Sequence, residues 1–131
     1  MLMNDKKLIS ILFVVAALYD GILGLVFLLA PGALFEWFGI TPPNHYGYVQ
    51  FPAFLLLLFA WMFTAVAMAP QKNRNLIPYG IGLKVAYCSL VFYYWFSKGV
   101  PGMWKPFAVI DLVFLVLFVL AFVRLGERNQ T

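Results

Sequence analysis

Charge is what this sequence lacks most. Only 11% of its 131 residues are charged, against 64% hydrophobic, and the mean hydropathy is +0.91. A soluble domain is typically about one quarter charged. So few charges cannot build a water-facing surface, and most of the exterior must face something apolar. The length leaves room for one small domain, residues 1–131, and no separate soluble one.

Other scarcities narrow the chemistry. The single cysteine, Cys88, excludes an internal disulfide and any CxxC redox pair. The single histidine, His45, cannot by itself build a structural zinc or bis-histidine haem site. There is no HExxH, no glycine-rich phosphate loop and no GxSxG. Metal hydrolysis, nucleotide chemistry and serine hydrolysis are disfavoured; no catalytic residue, metal or cofactor is expected. The net charge of +4 does not point to nucleic acid, because the basic residues are scattered singly or in pairs at the ends of apolar runs.

What the chain does have is four long apolar runs, at about 8–29, 49–69, 76–97 and 107–125. As helices they are about 30 Å long, the thickness of a bilayer's hydrocarbon core. Lipid offers backbone groups no partner, so such spans must be helical, and the runs lack the short alternating segments of a transmembrane barrel. The expected fold is all-α: a four-helix integral membrane bundle. Proline placement agrees. Pro31 and Pro70 follow runs one and two, and Pro52, Pro78 and Pro106 lie in or near the opening turns of runs two, three and four. The first run follows Lys6 and Lys7 as a signal peptide would. It is too long for one, carries Asp20 and lacks a cleavage site, so it reads as a retained helix.

Orientation follows from Lys and Arg. Lys6, Lys7, Lys72, Arg74, Arg124 and Arg128 flank one side, and only Lys98 and Lys105 the other. The positive-inside rule then puts both termini in the cytoplasm of a plasma membrane, a bacterial inner membrane being the expected setting. The opposite side collects Trp37, Phe38, Tyr46, Tyr48, Tyr93, Tyr94, Trp95 and Trp104, as an interfacial aromatic belt would. Between runs one and two, residues 32–39 are expected to form a short helix along the interface with Glu36 turned to water, followed by a turn at Thr41-Pro-Pro-Asn44.

This layout resembles the small four-helix bacterial proteins called DoxX-like. The resemblance rests on helix one ending in Leu-Leu-Ala-Pro-Gly-Ala-Leu-Phe-Glu-Trp-Phe-Gly, a charged tight turn after helix two, and an aspartate early in helix four. It implies a four-helix membrane fold, and a quinone-linked redox subunit as one possible activity. It carries over no functional residue.

Three ionisable residues lie inside the runs: Asp20, Lys84 and Asp111. Each costs about 2.5–3.5 kcal/mol at a helix centre, so such residues usually face the bundle interior and pair. Asp20 shares a face with Ala16, Ala17, Gly21 and Gly24, small residues that let a neighbouring helix approach. Lys84 shares its stripe with Gly80, Tyr87 and Cys88. A pair between Asp20 and Lys84 is within a lysine's reach. It would serve as a proton or ligand site or as a structural clasp; alternatively Lys84 snorkels to the inner headgroups. Asp111, about five residues into the fourth run, reads as a solvated carboxylate near a positive helix end, with a place beside Asp20 as the alternative. His45 reads as a loop hydrogen-bonder, Cys88 as inert packing and Tyr87 as bundle packing, each a secondary candidate for a site.

Three functions fit. The first is a non-enzymatic module binding a partner subunit or a lipophilic small molecule. The second is a small proton-coupled transporter or channel using Asp20 and Lys84, working as a homo-oligomer. The third is the quinone-linked redox subunit of the resemblance.

Overall fold

The computed structural model describes the backbone of residues 2–129 and the side chains of residues 5–127. Arg128, counted above as a basic flank, has its side chain outside the described residues. Five helices follow one another: α1 (Leu2–Leu29), α2 (Pro31–Trp37), α3 (Gly47–Met68), α4 (Ile77–Phe96) and α5 (Trp104–Asn129), with one 3-10 turn at Arg74–Leu76. No strand occurs among the described residues. The four longer helices are long and apolar enough to cross a membrane.

Two boundaries differ from the apolar runs in a way that matters. α1 starts at Leu2 and α5 at Trp104, because a helix continues past its apolar stretch wherever the backbone can bond; Lys6 and Lys7 are good helix formers. Pro52 is the sixth residue of α3, not in its first turn, so the bond its N–H would have made to the Tyr48 carbonyl is absent. The stretch 40–43 is irregular, and the expected turn narrows to a bend at Asn44.

The short helix α2 ends in a Schellman motif, in which Gly39 adopts φ +66°, donating to Glu36, and Ile40 donates to Phe35. Pro31 and Phe35 turn inward, and Glu36 and Trp37 are exposed.

The long helices run alternately up and down. Gln71 donates to the Leu125 carbonyl, Arg74 to the Phe122 carbonyl, and Arg124 meets Asp5 at 3.1 Å. The chain termini and the 69–76 connection therefore share one end, the terminal end. At the opposite, loop end, Trp104 stacks on Phe27 and Gln50 donates to the Leu28 carbonyl. α1 packs chiefly on α3 and α4 chiefly on α5, whereas α3 and α4 barely touch. The α1–α3 approach is close because of small residues. A Cβ on Gly24 would lie 2.9 Å from the Ala53 carbonyl oxygen, and one on Gly21 would meet Ala60.

Candidate functional site

Helical spacing aims three charged side chains at one point. Ile77, Gly80, Lys84, Cys88 and Val91 form the buried stripe of α4. Ala108, Asp111, Phe114, Phe118, Ala121 and Leu125 form that of α5. On α1 the stripe runs through Ile9, Phe13, Ala16, Asp20, Gly24 and Phe27. These steps of three and four keep each stripe on one helical face.

Lys84 has no solvent exposure at all. Its ammonium donates to Asp20 Oδ1 at 3.0 Å and Oδ2 at 3.2 Å, and to Asp111 Oδ1 at 2.9 Å. An ammonium has three donors, and all three are used. The rings of Phe114, Tyr19 and Phe63 surround it at 5.2, 5.7 and 6.0 Å, within cation–π range. The Tyr19 hydroxyl is buried without a hydrogen-bond partner among the described residues.

The Asp20–Lys84 contact is therefore present, and Asp111 joins it. Lys84 does not snorkel: two carboxylates hold its ammonium inside the bundle. Nor is Asp111 a solvated carboxylate at a helix end. It is only 8% exposed, and because α5 begins at Trp104 it lies in the third helical turn, beyond the reach of the terminal dipole. The sequence did carry a signal for this, since Asp111 falls in register with Ala108, Phe114 and Phe118.

The cluster separates two unlike regions. Toward the terminal end, one to two turns below, Phe13, Phe63 and Phe118 fill the bundle axis. Phe13 stacks on Phe118 at 4.7 Å, and Phe63 lies 5.2 Å from Phe118; all three are wholly buried. Gly80 makes this possible, for a Cβ there would fall 2.6 Å from the Phe63 ring.

Toward the loop end is a cavity of about 460 Å³ between the two helix pairs. The carboxylates of Asp20 and Asp111 lie at its floor; its walls are otherwise almost wholly apolar, from residues such as Phe27, Leu56, Leu83, Val91 and Trp104. Exposed Leu55, Leu90 and Tyr94 rim its mouth between α3 and α4. In the sequence Tyr94 and Trp104 stand out only as members of the aromatic belt, and nothing distinguishes Phe27, Leu56, Leu83 and Val91 from other apolar positions.

The secondary candidates divide. Tyr87 lines the cavity and donates its hydroxyl to the Trp104 carbonyl at 3.0 Å, tying α4 to α5. Cys88 is buried one turn beyond Lys84 with its Sγ 3.5 Å from the Ala108 carbonyl. His45 is far from the cluster, in an exposed loop, where Nδ1 accepts from the Gly47 amide at 2.9 Å. Among the described residues no three His, Cys, Asp or Glu side chains could hold a metal ion.

Chemically, the arrangement offers an apolar pocket with carboxylates at one end and their counter-ion behind them, and among the described residues no Ser, Thr, Cys, Lys or His lines it. The chain matches no protein-family model, no curated protein and no solved structure; of the DoxX-like expectation, what stands is four helices apolar enough to span a membrane.

Proposed function

We propose that this protein is a four-span membrane protein that binds a small lipophilic molecule in the cavity between its helix pairs, without catalysing a reaction. The observation that carries this reading is the cavity itself. Apolar walls with a few convergent polar groups, in a volume of about 460 Å³, fit the size and chemistry of small-ligand pockets. The mouth between α3 and α4 gives a membrane-dissolved molecule a lateral way in.

Membrane insertion is supported by the exterior, where Trp61, Met68 and Phe96 are more than 70% exposed. A continuous apolar surface of this kind suits lipid. Lys6, Lys7, Lys72, Arg74 and Arg124 gather at the terminal end and Lys98 and Lys105 at the loop end, which supports cytoplasmic termini. Single cysteines at Asn73 and Asn44, in a Cys88→Ser background, should then label from opposite sides; labelling of Asn73→Cys from outside intact cells would reverse the orientation. The phenylalanine plug argues against transport, because wholly buried rings fill the bundle axis between Asp20 and the terminal end.

The test of binding is purification in mild detergent followed by mass spectrometry of retained small molecules, for the wild type and for the cavity-filled Leu83→Trp and Leu90→Trp variants. Binding predicts a retained species that both variants lose while melting near the wild-type temperature. Identical retention in all three proteins, or none in the wild type, would contradict it.

A further inference from the structure

We propose that the ligand of this cavity is a hydrophobic cation, an amine that is protonated at neutral pH and carries a compact apolar body. The inference rests on the cavity being a binding site, and it names the class of molecule bound.

Charge arithmetic within the cluster is the first ground. Two carboxylates, Asp20 and Asp111, face one ammonium, Lys84, and no other Lys, Arg or His is among the residues around it. When both acids are ionised the cluster carries one negative charge more than its lysine neutralises. The excess is not evenly placed. Lys84 takes both oxygens of Asp20 but only Oδ1 of Asp111. Oδ2 of Asp111 accepts no hydrogen bond among the described residues, and Asp111 lines the cavity. Lys84 itself is not part of the cavity wall. A molecule entering from the mouth therefore meets carboxylate and not ammonium. An anionic headgroup would be repelled there, and an ammonium forms a stronger, charge-assisted hydrogen bond to a carboxylate than a neutral hydroxyl does.

The walls supply the second ground. Phe27, Tyr48, Tyr87, Tyr94, Trp104 and Phe107 bring six aromatic rings to the cavity, from all four helices that form it. Aromatic faces around a carboxylate are the setting that favours an ammonium, through the ring quadrupole together with the ion pair. The same rings already surround no cation of the protein's own, since Lys84 is ringed by Tyr19, Phe63 and Phe114 instead. The volume limits the body to roughly drug size, a ring or two with a short alkyl chain.

The test compares two probes that differ in charge alone. N-(4-phenylbutyl)piperidine is protonated at neutral pH; its amide, N-(4-phenylbutanoyl)piperidine, has nearly the same shape and no charge. Binding of each is measured to the full chain in phosphatidylcholine nanodiscs, with empty discs subtracted. The inference expects saturable binding of the amine and at least about tenfold weaker binding of the amide, about 1.4 kcal/mol. Asp111→Asn should abolish that preference. This variant leaves the Lys84–Asp20 pair intact and puts an amide oxygen in place of Oδ1, so it is expected to fold; should it not, the amine–amide comparison on the wild type decides alone. Amide binding as tight as amine binding would overturn the inference and leave the cavity reading standing. Absence of binding by either probe would also overturn it, and the mass-spectrometric comparison of Leu83→Trp with wild type would then show separately whether the cavity reading falls too.

Discussion

The two halves of this bundle are built from the same residue types and end up doing opposite things. In the terminal half, Phe13, Phe63 and Phe118 interlock with Gly80 against the Phe63 ring, and the bundle axis is filled. In the loop half, Phe27, Phe107 and Trp104 are just as aromatic, yet they wall a cavity. Hydrophobicity alone does not explain the difference. What differs is the approach of the helices: α1 is drawn onto α3 by Gly21 and Gly24, α4 onto α5, and the two pairs fill the axis between them where large rings meet Gly80. The charged cluster sits at the changeover, with the dry half behind it and the open half in front.

The largest effect that would break this comparison is loss of the cation. Lys84→Met strands two buried carboxylates, and removing one member of a buried ion pair typically costs about 3–5 kcal/mol. A steep fall in thermal stability in detergent is expected. The triple variant Asp20→Asn, Lys84→Met, Asp111→Asn should recover much of it; losses that simply add would mean the three residues act independently.

A smaller effect sharpens the contrast between packed and open space. Gly80→Ala pushes a methyl group against the Phe63 ring and should cost about 1–3 kcal/mol, as overpacked cores do. Gly82→Ala, two residues on, meets open space and should be neutral or stabilising by up to about 1 kcal/mol, the ordinary preference of a helix interior for alanine. Equal melting temperatures for the two variants would contradict the packing described for the plug.

The smallest effect concerns Tyr19. Its hydroxyl is buried and has no hydrogen-bond partner among the described residues, so Tyr19→Phe should leave stability unchanged or slightly raised. A loss above about 1 kcal/mol would show that the hydroxyl has a partner in the folded protein.

Much of the architecture was legible in the sequence because lipid-length apolar runs and prolines at their ends leave few alternatives. The short helix α2 was legible too, since its aromatics need an apolar face and Glu36 needs water, although it spans Pro31–Trp37 and not 32–39. Asp20 and Lys84 could be brought together from depth and reach. For Asp111 the sequence leaves two places open, and the structure takes the one beside Asp20: the apolar run starts at Phe107 but the helix at Trp104, so three further residues of helix carry the carboxylate into the interior. The cavity could not be read at all. It arises from how far apart α3 and α4 stand, and that separation is set by packing between other helices, which no spacing within one helix encodes.

The claim at the centre of this account is that the Asp20–Lys84–Asp111 cluster divides an accessible half from a closed one. Single cysteines placed in a Cys88→Ser background at Leu83 and Val91, in the cavity wall, and at Val66 and Ala121, in the closed core, test it through their rates of reaction with N-ethylmaleimide in nanodiscs. The account predicts labelling of Leu83→Cys and Val91→Cys and protection of Val66→Cys and Ala121→Cys, all four proteins melting as folded bundles. Comparable labelling rates on the two sides of the cluster would contradict it.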